Sequence, residues 1–162
     1  MTNDAELTLA ELIRDDEEAR EQALDTGRSF IVQAPAGSGK TELLIQRYLR
    51  LLATVDEPEE VLAITFTRKA AAEMRERVIA ALTTAAAGSR PDAPHLQITY
   101  DAARSVIERD GARNWGLLEL SQRFRILTLD AFNAGIARRL PVTSGLATSG
   151  NVIQDSEATE VV

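Results

Sequence analysis

Lys40 and Thr41 are the residues from which a chemistry can first be read, because they close the run Ala34-Pro35-Ala36-Gly37-Ser38-Gly39-Lys40-Thr41. A small residue, four intervening positions and then Gly-Lys-Thr is the spacing of a phosphate-binding loop, with alanine at the first position where glycine is commoner. Gly37 and Gly39 let successive backbone N–H groups turn inward around phosphate oxygens without a Cβ in the way. The helix that follows points its positive N-terminal end at the same anion. Lys40 is then the residue that reaches the β and γ phosphates, and the Thr41 hydroxyl is a ligand for Mg²⁺. These two are the candidate catalytic residues, and Thr41 is the candidate metal ligand.

Such a loop requires a strand before it and a helix after it. Ser29-Phe30-Ile31-Val32-Gln33 is a short β-rich run bounded by glycine and proline, read as a buried strand. From Lys40 to Leu52, apolar residues recur at Leu43, Leu44, Tyr48, Leu51 and Leu52, a helical pattern broken by Asp56-Glu57-Pro58. Val61 to Phe66 reads as a second strand. Residues 69 to 87 form an alanine-rich helix with Ala70, Met74, Val78, Leu82 and Ala85 on one stripe, stopped by Gly88 and Pro91. Residues 96 to 121 read as helical with a break at Gly111 to Gly116, Arg125 to Leu129 as a third strand, and Asp130 to Leu140 as a helix ended by Pro141. Ahead of all these, residues 4 to 25 place Leu9, Leu12, Ile13, Ala19 and Ala23 at near-helical spacing among charges, an amphipathic helix. After Val142 the chain is loop-like.

Strands alternating with helices indicate βαβ units, hence an α/β fold with a parallel sheet covered on both faces. Three strands are few for a complete doubly wound domain. The expected organisation is an amphipathic helix over residues 1–26, a partial nucleotide-binding domain over 27–140 with a helical insertion at about 91–121, and a loop-rich end over 141–162.

Composition narrows the chemistry further. The 162 residues include no cysteine and a single histidine, His95, so any metal must be held by oxygen ligands. No window approaches the ~18 apolar residues of a membrane span, and the first thirty residues lack a secretory signal, so a cytoplasmic protein with no membrane partner is expected. The net charge of −7 is unevenly placed: residues 1 to 26 hold nine acids and two arginines, whereas residues 28 to 139 hold sixteen Lys or Arg against thirteen Asp or Glu. The motif-bearing middle is mildly basic, which leaves a nucleic-acid partner open.

With the loop placed, its neighbourhood resembles the UvrD/Rep-type superfamily 1 DNA helicases, and especially their RecB/AddA helicase-nuclease branch. The phosphate loop, continued by Glu42-Leu43-Leu44-Ile45-Gln46-Arg47-Tyr48, looks like that family's first motif. Ala63-Ile64-Thr65-Phe66-Thr67-Arg68-Lys69-Ala70-Ala71-Ala72-Glu73-Met74 looks like its second, and Ile126-Leu127-Thr128-Leu129-Asp130-Ala131-Phe132 like its third. The resemblance implies a RecA-like P-loop domain that binds ATP and Mg²⁺, and an ATP-dependent helicase that moves on single-stranded DNA in recombination or repair. The nucleotide would be held by Ala36, Gly37, Ser38, Gly39, Lys40, Thr41 and Glu42. Arg20 stands in the register of the family's base-reading glutamine, with Gln22 two residues on, and Gln22 is the candidate base contact. Thr65, Phe66, Thr67, Arg68, Thr128 and Phe132 are the candidate DNA-binding residues. Single-stranded DNA or DNA ends and a partner subunit of a helicase-nuclease complex are the implied partners. The family's Asp-Glu magnesium motif, arginine fingers and second motor domain are expected downstream of Val162.

Several residues carry rival readings. Asp130 reads as a helix cap rather than a magnesium ligand. Arg68 and Lys69 oppose the dipole of the helix they begin, a cost a nearby phosphate would relieve. Periodicity alone places Phe66 in the core, whereas the resemblance makes it a stacking face. Trp115 reads as packing, and Arg138 and Arg139 suit the end of their helix. Without the resemblance, the loop also fits a complete small phosphotransferase or a non-catalytic nucleotide-gated module, although no basic lid or clear second acid is visible.

Overall fold

The computed structural model describes residues 9–139. Sequence pattern and structure agree closely in the helix here called α3, Arg68–Ala86, which buries Met74, Val78, Leu82 and Ala85 as the alanine-rich stripe requires, with Ala70 left exposed. Thr67 caps it by accepting the Ala70 N–H at 3.1 Å, and Gly88 beyond its end takes φ 71°. Around α3 the other elements are α1 (Leu9–Ala23), α2 (Lys40–Leu52), β1 (Leu62–Thr65), α4 (Pro94–Arg113), β2 (Arg125–Thr128) and α5 (Leu129–Arg139).

β1 and β2 pair in parallel, with Leu62 opposite Arg125 and Thr65 opposite Thr128. Two parallel strands need a crossover, supplied by α3 and α4. Pleating puts Ala63, Thr65, Ile126 and Thr128 on one face of the pair. Ile126 and Val78, Leu82, Leu49, Leu52 and Val106 from the three long helices share one core with Phe124 and Trp115. Leu62 and Ile64, on the other face, are 36% and 48% exposed, so the expected cover on both faces is not complete among the described residues.

The expected strand at Ser29–Gln33 is irregular chain instead. Its composition suits a strand, but a strand persists only with a neighbour to complete its ladder. β1 and β2 pair with each other, and Ile31 is 99% exposed. The strands are also shorter than expected. Val61 closes a single 3-10 turn, Pro58–Glu60, Phe66 projects beyond β1, and Leu129 already belongs to α5. In α2 the buried positions are Leu43, Ile45, Gln46, Tyr48, Leu49 and Leu52, whereas Leu44 is exposed. The region expected to be helical over 96 to 121 is helical from Pro94 to Arg113 and stops where Asn114 and Gly116 adopt positive φ.

Trp115 then turns into the core, its indole N–H donating to the Asp56 carbonyl at 3.1 Å, as its packing role requires. Arg109 and Arg113 hold the Asp56 carboxylate, and Arg123 reaches Glu59 at 2.7 Å and Glu57 at 2.8 Å. Residues 4–8 of the first expected helix, the side chains of Leu9 and Leu12, Leu140, and the end after Pro141 lie outside the described residues. Ile13 of the expected apolar stripe is 52% exposed, and α1 joins the body through Ala23 and Leu24, which pack on Leu43 and Phe30. No described helix is long and apolar enough to cross a membrane.

Candidate phosphate-binding site

The loop from Ala34 to Thr41 enters α2 through Gly39, which takes the N-cap position at φ 80° and offers no side-chain cap. Gly37 also stands at φ 80°. Both positions lie in the left-handed region that side chains disfavour, which is the physical reason for glycine at each. The Lys40 ammonium folds back over the loop and donates to the carbonyls of Ala34 and Pro35, the latter at 2.6 Å. The Ser38 hydroxyl is buried without a hydrogen-bond partner, and Thr41 at the helix start is exposed. An uncapped helix start, an orphaned hydroxyl and a lysine resting on backbone carbonyls form a donor set that fits an anion. These donors include N–H groups for phosphate oxygens and a Thr hydroxyl for Mg²⁺. Among the described residues no cluster of three or more acids or histidines gathers to hold a metal by itself.

A cavity of about 280 Å³ runs from this loop to α1, lined by Lys40, Ser38, Phe30, Gln22, Arg20 and Asp16 among others. Gln22 thus shares a cavity wall with the loop, although its carboxamide N–H donates to Glu18 at 3.2 Å. Glu42 is drawn elsewhere. Its carboxylate accepts from the Thr99 hydroxyl of α4, and that hydroxyl accepts from Gln46 at 3.0 Å.

The sequence did not reveal the side chains that tie the loop to its surroundings. Arg20 donates from one guanidinium nitrogen to the Ser38 carbonyl at 2.6 Å and from another to Asp16 at 2.6 Å. Arg47 donates to the carbonyls of Ala23, Asp25 and Arg28, pinning the connection between α1 and the loop onto α2. Each looks like an ordinary solvated cation in a helical pattern, and only the folded path of the linker gives them acceptors.

The second group of candidates gathers where β1 and β2 end. Phe66 is 98% exposed, which removes the core reading and leaves a bare aromatic face. The Thr65 hydroxyl donates to the Thr67 carbonyl at 3.0 Å. Arg68 and Thr128 line one groove together with Arg75, Asp130 and Arg138. Lys69 has a local partner in Glu73 at 4.0 Å. Thr128 accepts the Ala131 N–H at 3.2 Å, so Thr128 makes the side-chain cap of α5 expected of Asp130, which is exposed in the first turn. A buried threonine at the strand end reaches the free N–H group better than an exposed carboxylate already inside the helix. Phe132 lies under the Arg125 guanidinium, 6.0 Å from ring centre to cation.

Electrostatic perturbation lies away from the loop. Hydrogen bonding from Arg123 holds the Glu59 carboxyl below its ordinary range, and the same contact raises Arg123. Burial pushes the Tyr48 phenol up, out of any useful titration range.

A glycine-rich loop leading into a helix, together with a parallel strand pair whose ends carry an exposed aromatic and a groove with three arginines, defines an α/β chain with a candidate anion site. The chain belongs to the UvrD/REP helicase N-terminal domain family, whose model matches residues 15–161. It is similar to proteins named as one subunit of an ATP-dependent helicase/nuclease. The Levilactobacillus brevis protein is 44% identical over 80 residues, 49% of this chain and 6% of that relative. The Lactobacillus acidophilus protein is 31% identical over 137 residues, 84% of this chain and 10% of the relative, and the Thermoanaerobacter pseudethanolicus protein 35% over 121 residues, 67% and 10%. The chain spans a tenth or less of the length of these relatives.

Proposed function

We propose that this chain is the nucleotide-loading N-terminal part of an ATP-dependent DNA helicase of the helicase-nuclease type, acting in recombination or repair, with a RecA-like P-loop fold over residues 27–140. The observation that carries the reading is the loop itself, with two glycines at φ 80° and Lys40 at the uncapped start of α2. Gly37, Ser38, Gly39 and Lys40 would hold the triphosphate, with Ala36 beside them and Gln22 toward the base. Thr41 would hold Mg²⁺, which when bound neutralises charge shared between β and γ oxygens. Glu42, tied to Thr99, would act by fixing the first turn of α2 against α4 rather than by direct contact.

At the strand ends, Phe66 would offer a stacking face to a base, with Thr65, Thr67, Arg68, Thr128 and Phe132 along the same single strand of DNA. Stacking there is sequence-tolerant because every base has a π-face, which suits a translocating motor. The working environment is the cytoplasm, and a second subunit of a helicase-nuclease is the expected partner.

The test is equilibrium binding of MgATP to the chain, with Lys40→Ala as the comparison. Loss of a charge-assisted contact to phosphate predicts about 10- to 100-fold weaker binding. Equal affinity in the two proteins refutes the loop's role. In the full-length protein, absence of both single-strand affinity and DNA-stimulated ATP hydrolysis refutes the motor.

A further inference from the structure

Glu42 stands where a helix ordinarily closes its own start. Gly39 is the N-cap of α2, so Lys40, Thr41 and Glu42 are its first three residues, and a glutamate at the third commonly reaches back to accept the N-cap backbone N–H. The same chain makes that contact at the 3-10 turn Pro58–Glu60, where Glu60 accepts the Glu57 backbone N–H at 2.9 Å. At α2 the contact is absent. The Glu42 carboxylate instead accepts the Thr99 hydroxyl of α4. Gln46, buried one turn further along α2, donates to the Thr99 oxygen at 3.0 Å. A carboxylate only accepts and the amide N–H only donates, so this chain of bonds fixes the single hydroxyl proton on the Glu42 side. The start of α2 is left without a side-chain cap, and its N–H groups remain open to an anion.

We infer that Thr99 is a positioning residue for the phosphate loop: it holds Glu42 off the Gly39 N–H, so that the helix start stays free for phosphate. This rests on the reading of the loop as a nucleotide site, and it adds a control from outside the loop, because Thr99 lies in α4, 57 residues along the chain from Glu42. Without the Thr99 hydroxyl, the carboxylate folds back and caps its own helix. Phosphate must then displace a negative group from donors that it otherwise finds empty. Nucleotide affinity is thereby tied to the contact between α2 and α4.

The experiment is a titration of the full chain with MgATP for the wild type, Thr99→Val, Thr99→Ala, Thr99→Ser and the double variant Thr99→Val with Glu42→Ala. Thr99→Val keeps the shape of the side chain without its hydroxyl and binds about fivefold or more weakly, the size of one capping contact, and Thr99→Ala does the same. Thr99→Ser returns the hydroxyl and binds within about twofold of the wild type. Adding Glu42→Ala to Thr99→Val removes the group that closes the helix start and restores affinity to within about twofold of the wild type, a non-additivity that a merely structural role does not produce. A loss that persists in the double variant means that Thr99 only supports the packing of α2 on α4, and overturns the proposal. Wild-type affinity in both Thr99→Val and Thr99→Ala overturns it as well, while leaving the phosphate site intact. No binding of MgATP to the wild type overturns the phosphate site and this proposal together.

Discussion

Replacing Arg47 tests whether the connection between α1 and the phosphate loop is held by one side chain. Its guanidinium donates to three backbone carbonyls, those of Ala23, Asp25 at 2.9 Å and Arg28 at 2.6 Å, and lies 5.4 Å from the Phe30 ring centre. Charge-assisted hydrogen bonds are worth about 1.5–3 kcal/mol each, so three at face value would exceed about 4 kcal/mol. That figure is too large here. Asp25 and Arg28 are exposed, and water replaces the lost donor at their carbonyls. Ala23 is buried, so its carbonyl is the acceptor that stays unsatisfied, at about 1–3 kcal/mol, with under about 1 kcal/mol more from the exposed cation-π contact. Arg47→Met, which keeps most of the aliphatic stem, therefore destabilises by about 2 kcal/mol and lowers the melting midpoint by roughly 4–8 °C. Arg47→Lys recovers little, because a single ammonium cannot fork across three acceptors. Urea denaturation followed by far-ultraviolet dichroism measures both. A loss under about 0.5 kcal/mol in Arg47→Met, or full stability in Arg47→Lys, refutes the pinning argument.

Other consequences can be checked alongside. Thr128→Ala removes the side-chain cap of α5 and costs about 1 kcal/mol, whereas Asp130→Ala stays within about 0.5 kcal/mol; urea midpoints of the two variants compare them directly. Phe66→Ala leaves stability within about 0.5 kcal/mol because the ring is exposed, yet weakens binding of an oligothymidine by about 1–3 kcal/mol in a fluorescence anisotropy titration, and unchanged affinity excludes the stacking role. Glu59 is held below its ordinary value of 4.5 by Arg123, so its contribution to stability is complete above about pH 5 and is lost as pH falls through the folded-state value. Stability measured from pH 6 to pH 3 should fall less steeply in Glu59→Gln than in the wild type, and parallel profiles would remove Glu59 from the acid response.

How much of this was legible in the sequence depended on whether the determining interaction is local. The α3 stripe from Met74 to Ala85 follows from helical period alone, and the φ of Gly37 and Gly39 follows from the spacing of the loop. Ser29–Gln33 misled because β-rich composition describes a surface that can pair, not whether a partner strand adjoins it. Phe66 misled for a related reason: periodicity carries the strand one residue too far, past the point where the pairing of Thr65 with Thr128 ends. The cap of α5 was placed on Asp130 because acids favour helix starts, while the reach of Thr128 depends on where β2 stops. The contacts of Arg20 with Ser38, Arg47 with Arg28 and Thr99 with Glu42 were not legible because each joins residues 18 or more apart along the chain.

The parallel pairing of β1 with β2 also bears on the order in which the chain can fold. All of α3 and α4 lies between the two strands, so their ladder closes a long loop and cannot gain its hydrogen bonds until that loop's entropy has been lost. α3 and α4 meet each other through a short connection, so their contacts form at far lower entropic cost. The helical pair thus serves as the template on which the strands are brought into register, and the groove holding Arg68 and Thr128 is among the last features of the molecule to be assembled.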